Sequence, residues 1–254
     1  MQATASLPMY VRAETVDAHN AFWAIFHGIF TDMGGECPSS LIMPDDILLH
    51  WRSPDLFLSQ TCGMPYRVML HDHVTLVGTP DYGLSGCPSG HYQSVLVVRS
   101  DDDRKTLPDF KDARFAFNEP ISQSGYSAAW FHTEAEGFHF TNLIQSGAHV
   151  KSARMVAAGN ADIASLDAVT WQFIQEYDAF SDQLRVLDRT IPTPGLPLIT
   201  AKGNDPEPIF QAFKTALTHA PADILTKTGI RDLVPIPKNS YLEIPTPPVP
   251  NNMG

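Results

Sequence analysis

The chain has 254 residues, 43% hydrophobic and 18% charged, enough to bury a sizeable core in one large domain or in two lobes of modest size. Formal net charge is −11, from 17 Lys and Arg against 28 Asp and Glu with no basic run, which makes nucleic acid and anionic membrane surfaces poor partners. A small anionic ligand stays open, because local N–H and hydroxyl donors decide that.

The N-terminus, Met1-Gln2-Ala3-Thr4-Ala5-Ser6-Leu7-Pro8, carries neither a basic n-region nor an apolar h-region, and no stretch approaches the roughly 18 apolar residues of a membrane span. As it stands the sequence reads as cytoplasmic; with a signal removed it reads as periplasmic. Residues 4–8 read as a first strand that ends at Met9-Tyr10. Thr15 or Asp17 then caps a helix whose Phe22, Trp23, Phe26, Ile29 and Phe30 keep helical spacing. Residues 47–51 and 56–58 read as short strands, with a helix after Cys62. Residues 75–78 form another strand, closing on Thr79-Pro80-Asp81-Tyr82. The turn-rich stretch 83–90 marks a first crossover, placed at 85–91.

A second lobe opens with the alternating, β-branched strand 92–99. Strands at 114–118, 141–144 and 161–165 follow, with helices from Ser124, from about residue 148 to 158, and through Leu166, Val169, Phe173 and Tyr177. Residues 185–187 lead through Pro192-Thr193-Pro194-Gly195-Leu196-Pro197 into a strand at 198–200, a return crossing placed at 187–194. Pro206 suits the first position of a last major helix with Ile209, Phe210, Phe213 and Leu217 on one face. From Pro235 the tail is proline-rich and reads as extended over the surface or disordered. The alternation implies an α/β protein with largely parallel sheets. Lobe one is discontinuous, 1–84 plus 195–254, and lobe two is 92–186.

One short motif occurs twice. Leu56-Phe57-Leu58 runs into Ser59-Gln60-Thr61-Cys62-Gly63, and Phe115-Ala116-Phe117 runs through Asn118-Glu119-Pro120-Ile121 into Ser122-Gln123-Ser124-Gly125-Tyr126. Each reads as a strand ending in hydroxyl and amide residues before a helix. A helix start carries unpaired N–H groups and partial positive charge, so two such starts, one per lobe, suggest an anion ligand. Ser122 and Ser124 offer hydroxyl donors, and Gly125 lets backbone approach closely. The plain alternative is an ordinary helix cap. Tyr10 reads as an aromatic wall or as core, and Tyr82 and Tyr92 flank the first crossover. His149 follows Ser146-Gly147 at another strand-to-helix turn, and Asp167 accepts from a ligand or caps the next helix.

Enzyme signatures are missing: no GxSxG, no GxxxxGK[ST], no HExxH. His132-x-Glu134-x-Glu136-x-x-His139 holds metal-capable side chains but sits in a polar stretch, and His71-Asp72-His73 reads as a solvated turn. No catalytic residue, metal or cofactor is expected. Cys37, Cys62 and Cys87 form no CxxC, which leaves reduced thiols or a Cys62–Cys87 bridge open.

Ser6-Leu7-Pro8-Met9-Tyr10, the two motifs above, Ser146-Gly147-Ala148-His149, Ala161-Asp162-Ile163-Ala164-Ser165-Leu166-Asp167 and Pro192-Thr193-Pro194-Gly195-Leu196-Pro197 resemble, in order and spacing, the phosphate/phosphonate substrate-binding proteins of ABC transporters. The resemblance implies a type II periplasmic-binding fold: two α/β lobes, two hinge crossovers, and an oxyanion (phosphate, phosphite or phosphonate) closed between them for an ABC permease. It implies a monomer, no enzyme activity, and a ligand set of Tyr10, Thr61, Cys62, Gly63, Tyr82, Tyr92, Ser122, Gln123, Ser124, Gly125, Tyr126, His149 and Asp167. Aminoalkylphosphonate binders need an acid for the ammonium. Here Val150 stands where one would be useful, leaving Asp162 or Asp167. A thiamine-precursor-type binding protein or enzyme on the same fold, and a cytoplasmic small-molecule sensor, are the alternatives.

Overall fold

The computed structural model describes residues 3–250. The chain divides into two units, Met1–His91 with Pro194–Glu243 and Tyr92–Thr193 with Ile244–Gly254. In the first, β1 (Thr4–Ser6) leads to α1 (Val16–Asp32), whose Phe22, Trp23, Phe26 and Phe30 make the buried stripe their spacing predicts. Residues 47–51, expected as a strand, are helix α2 (Ile47–Trp51). The Asp46 carboxylate accepts from the N–H groups of Leu48 and Leu49, a cap that outweighs the β-like run Ile-Leu-Leu. β2 (Leu56–Gln60) is buried throughout; α3 (Gly63–Pro65) passes straight into a π-helical turn over Tyr66–Leu70, and β3 (Val74–Asp81) comes next.

The chain crosses at β4 (His91–Tyr92) and enters the second unit as β5 (Ser94–Arg99). Then come β6 (Arg114–Phe117), a π-helical turn over Gln123–Ser127, and α4 (Ala128–Ala135). β7 (Asn142–Gln145), α5 (His149–Ala157), β8 (Ile163–Asp167), α6 (Ala168–Tyr177) and β9 (Leu184–Arg189) complete the alternation. The return passes through β10 (Thr193–Pro194), which pairs with β4, into β11 (Leu198–Ala201) and α7 (Pro206–His219). Pro206 stands at the first position of α7, as the sequence predicts, and Asp205 caps it. Last come α8 (Ala222–Thr228), β12 (Asp232–Val234) and α9 (Lys238–Leu242).

Both sheets are mostly parallel in strand direction. In the order β1-β2-β11-β3-β12 the first unit keeps β1, β2 and β3 pointing one way, with β11 and β12 reversed. In the order β7-β6-β8-β5-β9 the second unit reverses β5 alone. β5 and β11 share a cause: each is the first strand after a crossing and enters its sheet from the crossing end. β5 is interior, paired on both edges, and its β-branched Val95, Val97 and Val98 sit fully buried mid-sheet.

Two cores result. Trp51, Leu56, Tyr66, Leu70, Ile199 and Tyr241 pack in the first unit, and Leu96, Phe110, Phe115, Phe117, Tyr126 and Phe140 in the second. The tail departs from expectation. It contains α9, and its Tyr241 is wholly buried, hydroxyl to hydroxyl with Thr79 at 2.6 Å. From Ile244 the chain groups with the second unit, whereas the sequence assigns all of 195–254 to the first lobe. Among the described residues no helix is long and apolar enough to cross a membrane, and no His/Cys/Asp/Glu group could hold a metal ion.

Candidate ligand site

The second motif folds into a tightly specified turn. β6 ends at Phe117, and Ser122 caps the helical turn after it, its Oγ accepting from the Gly125 N–H at 3.0 Å. The Ser122 carbonyl then accepts from Ser127 N–H at 3.0 Å and Tyr126 N–H at 3.3 Å, which widens the first turn to π geometry. The first-turn N–H groups, that of Ser124 among them, have no upstream helical carbonyl to donate to. Glycine at position 125 leaves room for the Asn118 side chain, whose Oδ1 a Cβ there would displace. The Ser124 carbonyl is pinned to the sheet by two hydroxyls, Ser94 Oγ from β5 at 2.8 Å and Ser165 Oγ from β8 at 2.6 Å.

With its carbonyl fixed, Ser124 presents Oγ to His149 Nε2 at 3.0 Å, and Asn118 Nδ2 lies 3.4 Å from the same nitrogen. His149 is the first residue of α5. Burial drives its pKa down to about 4, with a smaller opposing pull from the Ser165 main chain. At neutral pH the ring is therefore uncharged, one nitrogen protonated and one not. Its Nδ1 and Asn118 Oδ1 are buried with no hydrogen-bond partner.

The structure thus gathers Ser122, Gln123, Ser124, Gly125 and His149 in one place. Tyr126 turns away from them. Its ring is 2% exposed, 5.4 Å from Phe117 and 6.0 Å from Trp130, and its hydroxyl donates to the Pro248 carbonyl at 3.1 Å. Burial raises its phenol pKa. Asp167 acts as the cap of α6, its Oδ1 accepting from Val169 N–H at 2.7 Å and Thr170 N–H at 3.1 Å. Tyr92 is buried on β4. Sequence reasoning missed Asn118, Ser94 and Ser165. A serine adjoining a short apolar run, before residues 95–98 and between Ala164 and Leu166, was the available signal for the last two.

In the first unit Cys62 occupies the N-cap position of α3 in extended conformation, without a side-chain cap bond, and Gly63 is the first helical residue. Thr61 is fully buried; its N–H donates to the Pro197 carbonyl at 3.0 Å and its hydroxyl to the Cys62 carbonyl at 3.4 Å. Tyr10 and Tyr82 meet edge to face at 4.8 Å, and Gln60 Nε2 donates to the Tyr82 hydroxyl and the Leu196 carbonyl, each at 3.2 Å. Cys37, Cys62 and Cys87 are not joined by any disulfide, which removes the Cys62–Cys87 bridge. Of the metal-capable histidines, His132 pairs with Asp188 at 2.8 Å and His139 stacks on Trp130 at 3.7 Å.

Residues 58–241 match the family of periplasmic substrate-binding proteins of phosphonate ABC transporters. The chain belongs to that family. Its members are binding components of transporters rather than enzymes, and they are periplasmic, which sets aside the enzyme alternative. No curated protein matches the chain in sequence. Solved structures match its fold over nearly its whole length. PhnD1 of Prochlorococcus marinus, in complex with methylphosphonate, superposes with a TM-score of 0.72 at 14% identity, covering 94% of each chain. A binding component of an ABC phosphonate transporter from Pseudomonas aeruginosa gives 0.71 at 17% identity, over 96% of this chain and 84% of that one. A Xanthomonas citri protein bound to chloride ion gives 0.70 at 14% identity, over 95% and 94%.

Proposed function

We propose that this phosphonate-family protein captures a small tetrahedral oxyanion, a simple phosphonate first and phosphate or phosphite with it, and passes it to an ABC permease. The observation that carries the reading is the Ser122–Ser124–His149 arrangement on a helix start. When the neutral His149 carries its proton on Nε2, it donates to Ser124 Oγ, and the Ser124 hydroxyl proton is left to point at a ligand oxygen. First-turn N–H groups and the helix dipole supply the remaining positive potential without a formal charge. Ser122 and Gly125 shape the turn, and Gln123 belongs to it. Thr61, Cys62 and Gly63, with Tyr10, Tyr82 and Tyr92, are assigned to the same ligand on their sequence pattern, and their alanine variants are a separate test.

The ligand we favour carries no ammonium group. Both acids left to serve one are engaged: Asp167 caps α6, and Asp162 holds the Arg114 guanidinium at 2.9 and 3.1 Å and accepts the Arg114 N–H at 2.9 Å. A thermal-shift panel on dialysed protein tests both statements, with methylphosphonate, 2-aminoethylphosphonate, phosphate, phosphite and sulfate. A ligand at about 100 times its Kd adds about 2.7 kcal/mol, several degrees of Tm for a chain of this size. Methylphosphonate should rise and Ser124→Ala should abolish the rise. A flat panel overturns the oxyanion reading, and selective rise with 2-aminoethylphosphonate overturns the ammonium argument.

A further inference from the structure

The proline-rich tail reads in sequence as extended over the surface or disordered, yet it reaches the ligand turn at Pro248. Tyr126 is the fourth residue of the Gln123–Ser127 π turn, and its hydroxyl is held by the Pro248 carbonyl. Pro247 and Pro250, three apart, are buried, while Pro248 and Val249 between them are exposed, the periodicity of an extended polyproline segment docked along one edge. Upstream, the same stretch starts from a fixed point, since Tyr241 is buried in the first unit against Tyr66, with ring centroids 5.2 Å apart, and bonded to Thr79. The tail therefore has an anchor at each end and a backbone that proline has already restricted, so docking it orders little free chain.

A π turn is strained relative to an α turn and persists where tertiary contacts hold it. Here two N–H groups compete for one carbonyl, that of Ser122. The sheet side of the turn is held at the Ser124 carbonyl by Ser94 and Ser165. Two residues later the hold comes from the tail, at Tyr126.

We propose that residues 244–250 are a strap that keeps the ligand turn in its wide form, with Tyr126 as the positioning residue that receives it; this rests on the oxyanion reading of that turn. Without the strap the turn loosens, its bonds to the Ser122 carbonyl open more often, and the first-turn N–H groups leave the directions that the Ser124–His149 pair matches.

The test uses full-length protein. Tyr126→Phe removes the hydroxyl and keeps the ring, and the double variant Pro247→Gly/Pro250→Gly loosens the tail without touching the turn. Loss of one hydrogen bond of ordinary strength predicts roughly fivefold weaker methylphosphonate binding for Tyr126→Phe, seen mainly as faster dissociation. The glycine variant should show a loss of at least that size. Combining the two should be no worse than the glycine variant alone, because both cut one connection. Additive losses, or lowered Tm with unchanged dissociation rate, overturn the strap. Hydrogen exchange without ligand gives an independent reading: the bonded amides of residues 125–127 should lose protection in the glycine variant. If they lose it while wild type binds no oxyanion, the strap stands and the ligand assignment falls; unchanged protection overturns the strap.

Discussion

Acidification should destabilise this protein through His149 in a defined window. The imidazole titrates near its ordinary 6.5 in the unfolded chain and at about 4 in the folded one, because burial disfavours the cation. The folded state then binds fewer protons than the unfolded state between those values. Stability from this group is complete above about pH 6.5, declines as pH falls, and stops declining below about pH 4. A gap of about 2.5 units at 1.36 kcal/mol each gives a loss of up to about 3 kcal/mol. His19 and His50 are also lowered by burial and add to the wild-type slope, so the comparison must isolate His149. His149→Gln keeps a hydrogen-bonding amide and cannot titrate. Urea midpoints for both proteins at about pH 7, 5.5 and 4 should converge on acidification, the wild type losing about 3 kcal/mol more. Parallel stability profiles would refute the argument.

Gly125→Ala must displace the Asn118 amide, whose oxygen overlaps the place of the new methyl. Urea denaturation should show about 1–3 kcal/mol of destabilisation, and calorimetry a weaker methylphosphonate complex. Asp167→Ala removes both cap bonds from α6 and should lower stability by about 1 kcal/mol. Tyr241→Phe leaves the buried Thr79 hydroxyl without its partner, an expected loss of about 1–2 kcal/mol by the same assay.

The order of strands and helices was legible because the chain states it locally: apolar runs of strand length, aromatic stripes at helical spacing on α1, Pro206 at the head of α7. The Ser122 cap and the nearness of His149 to the 122–125 turn also came through, since both lie at strand-to-helix junctions on one sheet edge. The failures were of two kinds. In residues 47–51 a five-residue apolar run has no period long enough to separate strand from helix, and the deciding signal was one carboxylate at Asp46. The contacts of Tyr126 and of the tail were not legible because they are set elsewhere: Pro248 lies 122 residues from Tyr126, and nothing in Ser122-Gln123-Ser124-Gly125-Tyr126 says which side chain turns inward. Ser94 and Ser165 escaped for the same reason, each meeting the turn only through the closed sheet.

The placement of β11 sets an order of events in the making of the molecule. Ile199 lies between Ser59 of β2 and Leu76 of β3, so the first unit's sheet has a vacant row at its centre until a strand synthesised more than a hundred residues later arrives. The second unit's five-stranded sheet, by contrast, is encoded by one unbroken stretch between the crossings. A ribosome releasing this chain therefore delivers a finished sheet from the middle of the gene product while its beginning still waits with two open strand edges. Edges of that kind invite pairing with other chains. Closing the first unit early enough to avoid it depends on how soon the second one folds and brings residue 198 back.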